Sequence, residues 1–187
     1  MNIITKTASG KYIVRPDTTW EKDNEDFFPP DYIESLTFTP ALFARICKPG
    51  KSVGEKFASR YYDSVNYGLL LYPENLIGCN PEDYACASCI DHTSFLSSPL
   101  FDKESLAENN FRINAGDSEI FYTDKRSVSI IENAIHEASA RVYIRTGDLI
   151  AIELDSRKPL CTRADGNIHI SGFFGNNKVL DFNIIVK

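Results

Sequence analysis

The side chains best suited to chemistry gather in one short region of the 187-residue chain. Cys79, Cys86 and Cys89 are followed closely by Asp91 and His92. Soft thiolates and an imidazole can hold zinc, and Cys79, Cys86, Cys89 and His92 would make a small structural zinc module. However, Cys86 and Cys89 lie in YACASCI, an apolar run of small residues that reads as a strand. Three apart in a strand, they point to opposite faces, and core thiols are the simpler reading. Asp91-His92 at the end of such a strand suits acid–base work or metal ligation. An Asp ahead of a Thr-Ser run also caps turns. Glu153 and Asp155, spaced i, i+2 at the end of LIAIELD, share a strand face that reads as its solvent side.

Several chemistries are excluded by pattern. The chain has no P-loop, no dinucleotide-binding glycine pattern, no His-Glu-x-x-His and no Gly-x-Ser-x-Gly elbow. Three histidines leave few bases for a Ser-His-Asp arrangement. A net charge of −6 with scattered basic residues argues against nucleic acid. No apolar run approaches the ~20 residues of a membrane span. The first residues, MNIITKTASGKYIVRPD, lack a basic segment followed by an apolar core, so a secretory signal is not expected. A cytoplasmic protein with five free thiols is the expectation.

The elements that position these groups are mostly strands, in keeping with 12 Phe and 9 Tyr. Residues 2–14 read as a hairpin about Ser9-Gly10. Residues 15–37 read as a surface loop rich in Pro and acids, anchored by Trp20, Phe27 and Phe28 or closing over a cleft. FTPALFARIC and YGLLLYP read as buried strands, FRINAGDSEIFYTDKRS as a hairpin, and the last 40 or so residues as more strands. One helix stands out. Ile130, Ile131, Ala134, Ile135 and Ala138 form a stripe at helical spacing, with Ser129 and Glu132, or else Ser127, as caps.

From that helix onward, ENAIHEASARVYIRTGDLIAIEL is similar to a run in the fumarylacetoacetate hydrolase family, with Ser139 and Gly147-Asp148 as its markers. Upstream, LFARICKPGKSV resembles the family's early strand ending in Lys-Pro, here Lys48-Pro49. The likeness covers roughly residues 38–187. It implies a β-rich α+β mixed roll with one main amphipathic helix, in a single domain over 1–187 whose first 37 residues form the hairpin and loop. It also implies a homodimer and enzymes that use Mg²⁺ or Mn²⁺ to polarise acylpyruvate-like oxo-acids for hydrolysis or decarboxylation.

The sequence departs from the family at the metal. Val65 and Tyr67 fall where a Glu-x-Glu pair of ligands leads into the apolar strand, and the Thr-Gly-Thr-Pro run after the Gly-Asp strand is replaced by IELDSRKPL. The resemblance therefore implies a catalytically degenerate protein that binds or regulates, needs no cofactor, and has a small oxo-acid as its ligand. Its alternative is an active enzyme with relocated ligands: Asp63, Asp91 and Glu153 for Mg²⁺ or Mn²⁺, with Lys48 and His92 as catalytic groups.

Overall fold

A computed structural model describes residues 1–186. The chain begins with strands β1 (Asn2–Lys6), β2 (Tyr12–Pro16), β3 (Trp20–Glu21), β4 (Ser35–Ile46) and β5 (Tyr62–Pro73). Helix α1 (Pro81–Ala87) leads to β6 (Ser94–Phe95), β7 (Phe101–Asp102), β8 (Phe111–Ala115) and β9 (Ser118–Thr123). Helix α2 (Ser129–Arg141) then precedes β10 (Leu149–Glu153), β11 (Lys158–Thr162), β12 (Ile168–Phe174) and β13 (Asn177–Ile184). Among the described residues, nine strands form a curled sheet ordered β2-β1-β10-β4-β5-β6-β3, with β11 against β4 and β7 against β5. A second, four-stranded sheet runs β13-β12-β8-β9.

Strands β4 and β5 make the spine because they are apolar on both faces. Val65, Tyr67, Leu69 and Leu71 enter the main core with Leu42, Ala44, Ile150 and Ile152. The alternate residues Leu70 and Tyr72 pack on the other side with Ile3, Ala41, Phe43, Leu96, Leu149 and Ala151. The four-stranded sheet covers the main core: Tyr67 stacks on Phe111 at 4.5 Å between ring centres, and Phe95 on Phe182 at 3.6 Å. Helix α2 closes the same core with Ile131, Ala134, Ile135 and Ala138, each isoleucine contributing roughly 1.5–3 kcal/mol by burial and each alanine less than about 1 kcal/mol.

The hairpin over residues 2–14 forms as expected, and β1 also lies parallel to β10, so the first residues are built into the large sheet. In the following loop Phe27 is buried against Phe95, and the Trp20 indole donates to Leu96 O at 2.9 Å. Phe28 instead stays 55% exposed.

Two local expectations are corrected. YACASCI is not a strand: its first half is the end of α1, which begins on Pro81 after Asn80 and carries Glu82 and Asp83 in its first turn. Proline at the start, acids near the positive dipole end and two alanines favour helix over the β reading. At α2, neither Ser129 nor Glu132 forms a capping box. The Ser129 N–H instead donates to Ser127 Oγ at 3.3 Å.

Candidate functional site

The face of the large sheet turned away from the main core carries the candidate site. Period-two alternation places Ser64, Asn66, Gly68, Leu70 and Tyr72 of β5 on this face. In register beside them, Phe43 opposes Asn66, Arg45 opposes Ser64, and Leu149 opposes Arg45. Beside this strip, over the paired residues of β4 and β10, lies a cleft of about 220 Å³, walled by Trp20, Phe43, Leu96 and Leu149 and rimmed by Arg45 and Ser98. Arg45 is exposed and makes no ion pair among the described residues.

Val65 and Tyr67 point away from this cleft and are fully buried in the main core. A Glu-x-Glu pair on the cleft's face of the sheet would occupy Ser64 and Asn66, one residue earlier in each case. Neither position supplies a carboxylate. The Asn66 amide donates to Ser97 O at 3.0 Å and Pro99 O at 2.9 Å, while its Oδ1 accepts from Tyr67 N at 2.7 Å. Ser64 Oγ donates to Asp63 at 2.7 Å. A hard divalent cation requires several oxygen ligands, usually with carboxylates among them. The committed amide and the hydroxyl of this strip do not fit one. Among the described residues, no group of three or more His, Cys, Asp or Glu could hold a metal.

The candidate residues of the sequence are dispersed. Glu153 pairs with Ala41, which pairs with Gly68, and Asp63 lies five strand residues further on, or ~17 Å at the usual rise. Asp63 and Asp91 are exposed. Lys48 is exposed, with its ammonium 5.4 Å from the Tyr61 ring centre. His92 takes a positive φ of 56°, and its Nδ1 lies 3.0 Å from Glu21 Oε2. Glu21 also accepts from the backbone N–H of Asp23 at 2.8 Å, so it organises the acidic loop. Asp91 and His92 border a shallow cleft of about 390 Å³ with Phe27, Phe28 and Tyr32.

The expectation of core thiols is corrected as well. Cys47, Cys79, Cys86 and Cys89 are exposed, and Cys161 alone among the described cysteines is buried. Burial pushes the Cys161 thiol up to about 11.

Glu153 does not lie on a solvent face but is 7% exposed. Its carboxylate accepts from the Tyr72 hydroxyl, from the Tyr84 hydroxyl at 3.3 Å and from Ala8 N at 2.9 Å. Tyr72 and Tyr84 stack at 5.3 Å. The fully buried Arg15 places its guanidinium 4.6 Å from the Tyr72 ring centre. Arg15 donates to Ser94 Oγ at 2.6 Å, Leu71 O at 2.9 Å and Thr93 O at 3.3 Å. Burial pushes the Tyr72 phenol well above its ordinary value, although Arg15 pulls the other way. The hydroxyl therefore keeps its proton and donates. Sequence reasoning missed Arg15, Arg45, Asn66, Tyr72 and Tyr84 as site residues. A signal existed for Arg15: it opposes Ile3 in the hairpin register, whereas its neighbour Val14 is 46% exposed, so the cation sits in the buried phase of β2.

No family model matches the sequence, and no curated protein matches it. Solved structures do share its architecture. The fumarylpyruvate hydrolase of Pseudomonas aeruginosa, in complex with Mn²⁺ and pyruvate, superposes with a TM-score of 0.82 at 12% identity, covering 100% of this chain and 90% of that one. A protein of Yersinia pestis CO92 assigned to the fumarylacetoacetate hydrolase family gives 0.80 at 13% identity, covering 98% and 92%. The 5-carboxymethyl-2-hydroxymuconate delta-isomerase of Mycobacterium smegmatis gives 0.78 at 13% identity, covering 100% and 79%. The chain is therefore a curled mixed-sheet roll of a kind shared by hydrolases and isomerases. Its fold is the fumarylacetoacetate hydrolase-like fold.

Proposed function

We propose that the chain is a divergent fumarylacetoacetate hydrolase-like protein that has lost metal-dependent catalysis and binds a small oxo-acid in the Trp20–Arg45 cleft, in a binding or regulatory role. The observation that carries this reading is the strip of β5 paired with the cleft residues Phe43 and Arg45. Ser64 and Asn66 offer no carboxylate, and the Asn66 amide is spent on backbone groups. Beside them Arg45 offers an unpaired guanidinium. The carboxylate of an oxo-acid would pair with Arg45 through charge-assisted hydrogen bonds. The apolar end of the ligand would rest on Trp20, Phe43 and Leu149. Pyruvate in the Pseudomonas aeruginosa fumarylpyruvate hydrolase supports the choice of ligand class.

Isothermal titration tests the reading. Pyruvate or a longer acylpyruvate binds without added metal, and Arg45→Ala weakens that binding about tenfold or more, the loss of one charge-assisted contact of roughly 1.5 kcal/mol. Stoichiometric micromolar binding of Mg²⁺ or Mn²⁺, or metal-dependent turnover of an acylpyruvate, would sink it in favour of an active enzyme with relocated ligands. The same reading takes the chain as one domain over 1–187, cytoplasmic and homodimeric. Light scattering behind size exclusion checks the dimer, and a monomer at micromolar concentration refutes that part.

A further inference from the structure

We propose that a second cleft, at the opposite end of the same sheet face, binds a zwitterion of the α-amino-acid class with an apolar side chain. This cleft of about 430 Å³ lies between the turn joining β1 to β2, the start of α1 and the end of β10. It shares no lining residue with the Trp20–Arg45 cleft.

Glu153 lines this cleft and is 7% exposed. Its three hydrogen-bond donors, two phenols and one backbone N–H, are all neutral. No cation lies within ion-pair distance of it among the described residues. A carboxylate offers about four acceptor sites, so one remains for a further donor. Buried charges are ordinarily paired, yet Arg15 forms no ion pair with Glu153 and instead places its guanidinium 4.6 Å from the Tyr72 ring centre. An ammonium entering the cleft would supply the missing positive partner. A metal ion would find a single carboxylate there, too few ligands to hold it.

Two cations with different commitments also line the cleft. Arg157 is tied to Glu74 at 2.8 Å. Lys11 is exposed and makes no ion pair among the described residues. A buried anion and a free cation lining one cleft suit a ligand that carries both opposite charges. Ile13, Pro81 and the Tyr84 ring form an apolar wall for its side chain. These features match the ammonium, carboxylate and apolar side chain of a hydrophobic amino acid. A plain amine would leave Lys11 unused, and a plain carboxylate would meet Glu153 unfavourably.

The test uses the full chain, with L-phenylalanine, phenethylamine and 3-phenylpropanoate titrated calorimetrically. L-phenylalanine binds, and each analogue lacking one charge binds at least about tenfold more weakly. Glu153→Gln abolishes binding of L-phenylalanine and phenethylamine while circular dichroism stays unchanged. Lys11→Ala weakens L-phenylalanine about tenfold and leaves phenethylamine unaffected. The proposal is overturned if L-phenylalanine fails to bind at millimolar concentration, or if either single-charge analogue binds as well. Should Glu153→Gln not fold, the exposed Lys11 decides alone: unchanged L-phenylalanine affinity in Lys11→Ala rejects the site. Arg45→Ala leaves all these affinities intact, which separates this result from the fate of the oxo-acid reading.

Discussion

Asn66 is fully buried, donates two hydrogen bonds to backbone carbonyls and accepts a third from Tyr67 N. Replacing it with a carboxylate would turn two attractions into repulsions. Asn66→Asp is predicted to lower stability by about 2–5 kcal/mol in urea denaturation. Tyr72→Phe removes a donor to a buried carboxylate, with a predicted cost of about 1–3 kcal/mol in the same measurement. At this scale the sequence was least legible. Glu153 follows an alternating run and looks like a solvent-side residue, yet its carboxylate is held by Tyr72 of β5 and Tyr84 of α1. Only tertiary pairing reveals that, because Tyr72 and Tyr84 are far from it in sequence. Likewise, the alignment of Val65 and Tyr67 with ligand positions is off by one residue, and a one-residue slip in a strand exchanges the faces.

Among the elements, β5 and the 93–98 segment depend on a residue that has no side chain. A Cβ on Gly68 would stand 2.2 Å from Phe95 O and 2.8 Å from a Leu96 methyl. Gly68→Ala is therefore predicted to push β6 off the sheet edge. Hydrogen exchange would show faster exchange at Leu71 N, which donates to Thr93 O, and at Leu96 N, which donates to Glu21 O. The turn before β10 rests on Gly147 at φ 89° and on Asp148, whose carboxylate accepts from Asn2 N and Arg145 N. The Gly-Asp marker read from the sequence is thus a structural fastening rather than a catalytic one. Helix α2 and the hairpins were legible because their burial pattern is local. Helix α1 was not, since a short run of Ala and Cys carries little periodicity, and the Asn80-Pro81 start was the stronger signal.

For the whole molecule, the buried phenols and thiol set the alkaline limit. Burial pushes Tyr67 up to about 12 and Cys161 up to about 11, and it also raises Tyr12, Tyr62, Tyr72 and Tyr84. A raised folded-state value means the folded chain holds the proton more tightly. That stabilisation is complete below the unfolded value, about 8.5 for a thiol and 10 for a phenol, and is lost as pH rises through the folded one. Denaturant midpoints are predicted to hold to about pH 8.5 and then fall through pH 12. A flat profile to pH 12 would contradict the burial of these groups. The broad architecture was legible from strand-length apolar runs and aromatic content. The pairing of β1 with β10 was not, because no local signal links strands so remote in sequence.

That pairing bears on how the chain is made. Asn2 N reaches Asp148 across 146 positions, and β1 takes its place only beside β10. At a ribosomal pace of about 5–20 residues per second, the first hairpin would wait roughly 7–30 s for its parallel partner. During that interval Ile3 and Ile4 lack the cover that Leu149, Ile150, Ala151 and Ile152 give them in the finished sheet.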